Sequence, residues 1–244
     1  MPGDADDDTV LGGAAPDAPH DDAARRAALV AAEQRAIALL DEIEAAGVIV
    51  AGRTELQVQD DIHALARQRF GIERYWHRRI VRAGPNTLTI ASDHPAVRTL
   101  GPDDTVYVDL GPVFEAWEAD VGRTYALGRD PDRRRLVADL PRVFERVQRY
   151  FHASTVLAGA QLYAFAQRAA QQAGWEFGGA IAGHVVGEFA HNRWPGDREL
   201  ARISPRNSRS MRAPDHLGRP RHWILEIHLV DRARTFGGFY ERLL

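Results

Sequence analysis

Four carboxylates stand inside segments that are otherwise rich in aliphatic and aromatic residues: Asp109, Asp120, Glu226 and Glu241. Alternation along residues 106–110 places Asp109 with Tyr107 on one face of a predicted strand and three aliphatic residues on the other. A carboxylate in an apolar strand costs free energy unless it is paired or binds a cation. The pattern therefore predicts a buried acidic site.

One histidine lies in a similar setting. His184 is flanked by Gly183 and Gly187, and glycine permits a close backbone approach. If the carboxylates converge, cations must neutralise them. An imidazole among carboxylates suits two divalent ions such as Mn, Co, Fe or Zn. Two such ions can hold both the attacking and the leaving oxygen of a hydrolysis.

The composition excludes several other kinds of chemistry. The 244 residues contain no cysteine, and all 31 basic residues are arginine. Disulfides, thiolate catalysis, cysteine-bound zinc, lysine Schiff bases and a P-loop lysine are thereby excluded. A net charge of −3 does not indicate a nucleic-acid or anionic-membrane partner. The sequence has no apolar run long enough to span a membrane, and its N-terminus has no basic region followed by an apolar run. It therefore predicts a cytoplasmic location.

The periodicity predicts alternating groups of helices and strands. Helices are expected over 23–46, 54–71, 132–151 and 161–173, with Pro141 at a kink or an early turn. Strands are expected over 76–82, 105–110, 113–125, 222–230 and 236–243, and residues 195–221 form the longest predicted loop. This order is typical of an α+β domain with a mixed or antiparallel sheet.

The N-terminal segment differs in composition from the remainder. Residues 1–24 contain seven aspartates and no basic residue, which predicts a disordered acidic tail. Residues 25–244 then form a single catalytic domain.

At the carboxylates and histidines the chain resembles the creatinase/methionine-aminopeptidase family of metallopeptidases. The resemblance covers residues 25–244. It rests on the Asp109-x10-Asp120 pair, Gly111, Asp120-x-x-Arg123-Thr124, the His184-x6-His191 pair, the segment 80–86 and the two late glutamates. It implies the pita-bread fold, a curved, mostly antiparallel sheet with flanking helices and two pseudo-related halves.

The resemblance also implies roles for individual residues. The implied ligands of the two divalent ions are Asp109, Asp120, His184, Glu226 and Glu241. Asp120 and Glu241 would bridge the ions, and Glu226 would also act as acid and base for the reacting water. His191 would contact the substrate or the tetrahedral intermediate.

The sequence departs from the family at one functional position. Family peptidases carry a histidine five residues after the equivalent of Asn86, where this chain has Ala91. His94 is an alternative if its loop bends differently, and other histidines that could stand near the metals are His77, His222 and His228. His228 shares a strand face with Glu226 and is a candidate catalytic residue. Arg123 is expected to pair with a ligand carboxylate.

Three functions are compatible with these features. The first is a dinuclear metallohydrolase, an aminopeptidase or dipeptidase that cleaves a small peptide or an amino-acid amide. The second is a non-peptidase C–N hydrolase or biosynthetic enzyme acting on a small guanidino or amide substrate. Ala91 and His228 are the residues that favour this second function. The third is a metal-free binding module on the same fold. A homodimer is a possible assembly.

Overall fold

The computed structural model describes residues 21–191 and 195–244. The helices are α1 (Asp22–Ala45), α2 (Glu55–Phe70), α3 (Pro131–Ala153) and α4 (Gly159–Gln172). The strands are β1 (Ile80–Ala83), β2 (Thr105–Leu110), β3 (Val113–Phe114), β4 (Trp117–Glu118), β5 (Val121–Ala126), β6 (Glu176–Phe177), β7 (Val185–Val186), β8 (His222–Val230) and β9 (Gly237–Leu243). The predicted α+β class is confirmed.

Local side-chain chemistry sets the ends of the helices. Thr54 and Gln57 form a capping box at the start of α2, and Gly71 ends that helix in the left-handed conformation with φ of 65°. Pro141 lies in the interior of α3, so of the two predicted positions, a kink or an early turn, the early turn is excluded. The apolar face of α3 is buried against the sheet, and this packing holds the helix together across the proline.

The main sheet is antiparallel in every pairing among the described strands. Its order is β1-β2-β5-β9-β8-β6, and β7 also pairs with β8. One row of paired residues crosses five strands: Ile80, Asp109, Gly122, Glu241 and Glu226. Directly paired residues of antiparallel strands point to the same face. The register therefore brings three of the four carboxylates onto one face.

Two hydrophobic cores flank this row. The first is formed by α1 and α2 against β1, β2 and β5, and the second by α3 and α4 against β8. Each half of the chain thus contributes a pair of helices followed by antiparallel strands, as the predicted halves require.

One predicted boundary needs correction, and one predicted loop is confirmed. The strand expected over 76–82 begins only at Ile80, because the backbone N–H of Trp76 donates to the carbonyl of Gly111 and holds the preceding residues outside the ladder. Outside the 3-10 helix Arg198–Ala201, the described part of 195–221 has no helix or strand, which confirms the long loop.

The predicted acidic tail falls mostly outside the described residues. Its last residues, however, belong to α1: Asp21 caps the helix by accepting from the backbone N–H of Ala23. Arg25, the first residue after the predicted tail, is 1% exposed and donates to both carboxylate oxygens of Glu188, at 3.0 and 3.3 Å. This ion pair ties α1 to the loop after β7, and the helix, which begins at Asp22, includes the last three residues of the predicted tail.

Replacing Arg25 with Met tests how much the ion pair between Arg25 and Glu188 stabilises the fold. Breaking a buried ion pair leaves an uncompensated charge, and because Arg219 also pairs with Glu188, we expect a loss of roughly 3 kcal/mol in unfolding free energy. Denaturant unfolding measures it. Arg149→Met on the exposed face of α3 is the matched control and should change stability by less than about 0.5 kcal/mol. Equal losses in the two variants would contradict the structural role of the pair.

Candidate metal centre

The predicted ligands converge around the imidazole of His184. Its Nε2 lies 3.0 Å from Asp120 Oδ2, 3.7 Å from Glu226 Oε1 and 4.0 Å from Glu241 Oε1. Asp109 is placed beside them by the register row and lines the same cavity. The structure therefore brings together all five residues that the resemblance implied.

The fold positions these side chains by strand register and by two glycines. Gly122 stands between Asp109 and Glu241 in the row, where an added Cβ would lie 2.5 Å from the Phe239 ring. Gly183 has φ of 130°, and a Cβ there would come within 2.0 Å of the Ile224 carbonyl oxygen. Only glycine lets the backbone before His184 approach β8 this closely.

The site carries more negative charge than the protein neutralises. Burial raises the pKa of Glu226 to about 7, and it raises the pKa of Glu241 well above its ordinary value, with further contributions from Asp120 and Asp109. Burial likewise raises the pKa of Asp109 to about 6. Although burial acts in the same direction on Asp120, His77 and His184 hold the pKa of that carboxyl well below its usual range.

The donor set fits divalent cations. Oxygen and nitrogen atoms of Asp120, His184 and Glu241 all lie within 4.8 Å of one another, and so do those of His77, Asp109 and Asp120. Among the described residues, no group hydrogen-bonds to Glu241 Oε2 although that atom is buried. A buried carboxylate oxygen without a donor is costly, and a bound cation would satisfy it. Mixed carboxylate and imidazole ligands suit Mn, Fe, Co or Zn.

A second imidazole, His77, enters the cluster from the segment before β1. Its Nε2 lies 3.2 Å from Asp120 Oδ1 and 3.5 Å from Asp109 Oδ1. The sequence marked His77 only as one of several histidines that could stand near the metals. Its location depends on how residues 75–79 leave the sheet, for which the sequence carries no periodic signal.

His191 lies beside the cluster, as expected from the resemblance. Its Nδ1 and its backbone N–H both contact the buried carboxylate of Glu118. Its ring stands parallel to that of His184, with 5.6 Å between centroids, and the edge of Trp76 approaches both. Glu118 therefore fixes the imidazole of His191 against the metal centre.

His228 occupies the cavity wall rather than the carboxylate cluster. Its Nε2–H donates to the Thr87 carbonyl at 2.7 Å, and burial lowers its pKa. The ring packs edge-on against Tyr107 and Phe239. His228 can contact a substrate in the cavity. Its hydrogen bond, however, is to the Thr87 carbonyl and not to a ligand carboxylate.

Two further histidines lie away from the centre. His94 is exposed, and its Nδ1 accepts from Arg78, whose guanidinium also donates to the carbonyl of Ala91. His222 contacts Asp22 at the start of α1. The alternatives that placed His94 or His222 at the metals therefore do not match the structure.

Arg123 also has different partners from those expected. Its guanidinium pairs with Asp41 at 2.8 Å and with Glu44 at 3.4 Å, both on α1. The side chain follows Gly122 in β5 and so points to the sheet face opposite the carboxylates. The expectation that Arg123 pairs with a ligand carboxylate is wrong for this reason.

Two cavities open from the centre. The first, of about 400 Å³, contains the carboxylate cluster and has walls that include Tyr107, His228 and Phe239. The second, of about 440 Å³, lies beyond His184 and Trp76, and its lining includes four arginines: Arg198, Arg202, Arg209 and Arg221. Arg202 borders both cavities, because its backbone pairs with that of His184. The loop 195–221, which supplies these arginines, gave no sign of this role in the sequence.

Solved structures that this chain resembles include several peptidases. The chain has a TM-score of 0.68 to X-Pro aminopeptidase from Thermotoga maritima, at 19% identity over 91% of this chain and 58% of that one. Dipeptidase PepE from Mycobacterium ulcerans gives a TM-score of 0.61 at 27% identity, over 89% of this chain and 55% of that one. Methionine aminopeptidase from Rickettsia prowazekii gives a TM-score of 0.66 at 14% identity, over 91% of this chain and 92% of that one. The predicted pita-bread fold is confirmed.

The family model of metallopeptidase family M24 matches residues 22–214. The chain belongs to this family. It spans 58% of the X-Pro aminopeptidase and nearly all of the methionine aminopeptidase. A search of curated proteins found no match. Within the described residues, no helix combines the length and the apolar character needed to cross a membrane.

The buried charges predict how the metal-free protein responds to pH. Burial by itself lowers the pKa of His77 and His184, but the neighbouring carboxylates outweigh it and raise both from 6.5 to about 9. The stabilisation from these imidazolium groups is complete below pH 6.5 and is lost as the pH rises towards 9. We expect the Tm of the metal-free protein to fall by at least about 5 °C over this range.

Thermal unfolding of chelator-treated protein, measured in steps from pH 6.5 to 9, checks this. Saturating Zn²⁺ or Mn²⁺ should abolish the decrease, because cations then replace the imidazolium charges. His152→Ala, on the exposed surface of α3, should reproduce the wild-type decrease. A metal-free Tm that stays level or rises over this range would contradict the charge distribution described above.

Proposed function

We propose that the protein is a dinuclear metal-dependent hydrolase, an aminopeptidase or dipeptidase that cleaves a short peptide or an amino-acid amide. The observation that carries the proposal is the convergence of three buried carboxylates, the partly exposed Glu226 and His184 at one cavity, with one carboxylate oxygen unpartnered. The similar structures include an X-Pro aminopeptidase and a dipeptidase, which supports a peptide bond as the target. A cytoplasmic location and a homodimer stay predictions.

The proposed ligands are Asp109, Asp120, His184, Glu226 and Glu241, with Asp120 and Glu241 shared. Bound divalent ions would supply Lewis-acid polarisation and lower the pKa of water. Glu226 takes the proton from the water and delivers it to the leaving nitrogen. Its side chain is 16% exposed, against 2% for Asp120, so it faces the cavity where water enters. His191, fixed by Glu118, orients the substrate beside the ligands.

The second cavity favours a substrate that carries a free carboxylate. Arg202 forms no salt bridge with any residue in the described ranges, and it stands at the border between the metal centre and the arginine-lined cavity. A guanidinium binds a carboxylate through two parallel hydrogen bonds. A dipeptide spanning the two cavities would place its C-terminal carboxylate near Arg202 and its peptide bond at the centre.

The alternative is a non-peptidase C–N hydrolase or biosynthetic enzyme that acts on a small guanidino or amide substrate. One observation favours it: Ala91 lines the cavity at the position where family peptidases have a histidine, and His94 does not replace it. The cavity wall at this point offers a substrate no imidazole donor.

Glu226→Gln tests the assignment of the acid and base. The amide keeps the shape of the side chain but cannot accept the proton, so turnover should fall roughly 10²–10⁴-fold. Metal content and kcat are measured on the same preparation after reconstitution with Mn, Co, Fe or Zn in turn. Glu145→Gln, on the exposed side of α3, is the control and should retain wild-type kcat. Near wild-type turnover in Glu226→Gln would leave Glu226 a ligand only.

A matched pair of substrates tests the substrate class. We expect the reconstituted protein to hydrolyse dipeptides better than the same dipeptides with an amidated C-terminus, because only the former offer Arg202 a carboxylate. Arg202→Gln should raise KM for the dipeptide about tenfold or more, as expected for loss of a charge-assisted contact, and leave KM for the amidated form unchanged. Arg206→Gln, which lies in the same loop and pairs with Glu199, is the control. Hydrolysis of guanidino compounds but of no peptide would favour the alternative function.

A further inference from the structure

We propose that His77 is a sixth protein ligand of the metal centre, so that each of the two ions has its own imidazole. One ion would be held by His77 and Asp109 and the other by His184 and Glu226, with Asp120 and Glu241 shared as proposed above. The inference rests on the proposed dinuclear function and extends the ligand set beyond the residues that the resemblance implied.

The first argument is the arrangement of the two imidazoles around Asp120. Asp120 Oδ1 lies 3.2 Å from His77 Nε2, and Asp120 Oδ2 lies 3.0 Å from His184 Nε2. Each carboxylate oxygen of this bridging residue therefore faces a different histidine. A cation on each side of Asp120 would have one imidazole nitrogen within reach.

The second argument is that both imidazoles are oriented in the same way. His77 Nδ1–H donates to the carbonyl of the next residue, Arg78, at 2.7 Å. His184 Nδ1–H donates to the carbonyl of its own next residue, Val185, also at 2.7 Å. A carbonyl can only accept, so both rings carry a proton on Nδ1, and Nε2 is the nitrogen directed at the carboxylates. Metal-binding histidines are commonly oriented by a backbone carbonyl in this manner.

The third argument is that the fold reserves the space for His77. A Cβ at Gly111 would lie 2.2 Å from His77 Cδ2 and 2.4 Å from its Nε2, so the ring approaches the backbone where only glycine fits. The neighbouring Trp76 is fixed at both ends: its backbone N–H donates to the Gly111 carbonyl, and its indole N–H donates to the Ala119 carbonyl. The edge of the indole then packs against the imidazole, with 4.4 Å between centroids.

Its position in the cluster distinguishes a ligand from a substrate-contacting group. His77 Nε2 lies 3.5 Å from Asp109 Oδ1 as well as 3.2 Å from Asp120 Oδ1, so it points between two ligand carboxylates. A histidine that served only the substrate would direct this nitrogen into the cavity beyond them.

Metal binding by the full chain tests the proposal. The variants are His77→Ala, His184→Ala as the comparison within the centre, and His152→Ala on the surface of α3 as the control. Calorimetric titration of chelator-treated protein with Zn²⁺ gives the number of ions and their Kd values. X-ray absorption of the Zn-loaded wild type gives the number of imidazoles per ion, and circular dichroism verifies folding.

We expect two ions and one imidazole per ion in the wild type. His77→Ala should weaken one ion at least about 10–100-fold, lower the imidazole count to half per ion, and leave the other ion unchanged. His184→Ala should weaken the other ion instead, and His152→Ala should match the wild type. If His77→Ala does not fold, the number of imidazoles per ion that X-ray absorption gives for the wild type tests the proposal by itself.

Three results would overturn the proposal. Two ions with half an imidazole per ion in the wild type would exclude His77 as a ligand and leave the proposed function intact. Unchanged Kd values in folded His77→Ala, with a loss only in kcat or KM, would make His77 a substrate-contacting residue. A wild type that binds no ion at millimolar Zn, Mn or Co would refute the proposed function itself.

Discussion

The structure depends on the convergence of four carboxylates, three of them buried, at the centre of an antiparallel sheet. Three of them, Asp109, Glu241 and Glu226, share a single row of paired residues, and Asp120 stands two residues before Gly122 of that row. Like charges at this spacing repel one another strongly in a buried setting. The fold can keep them together only if protons, imidazolium groups or cations compensate, and the raised pKa values of Glu226 and Glu241 express that demand.

The two halves of the molecule meet at this row. Asp109 and Asp120 come from the half built on α1 and α2, whereas Glu226 and Glu241 come from strands that follow α3 and α4. Each half supplies two carboxylates and one imidazole, with His77 from the first and His184 from the second. The β5–β9 pairing joins the halves and brings the two pairs of carboxylates together in one cluster.

The sequence predicts the strands and the ligand types better than it predicts the geometry. Alternation around Asp109 and the carboxylate within 222–230 are local signals, and β2 and β8 have the bounds expected from them. Register between distant strands is not a local property, so the shared row could be inferred only from the resemblance. Arg123 shows what the sequence leaves undetermined. Its spacing of three from Asp120 fixes its position along the chain, but not the sheet face on which its partners lie.

The segment 76–79 shows a further limit, because it was expected to continue β1 as a strand. A strand would have sent Trp76 and His77 to opposite faces, whereas here the Trp76 ring packs against that of His77, and His77 Nε2 lies 3.2 Å from Asp120 Oδ1. The following residue, Arg78, lines the same cavity and donates to the carbonyls of Ala91 and Asp93. Two adjacent residues thus connect the centre to the loop that lacks the family histidine. His77 thus brings an imidazole beside Asp109 and Asp120, but from the segment before β1 and not from that loop.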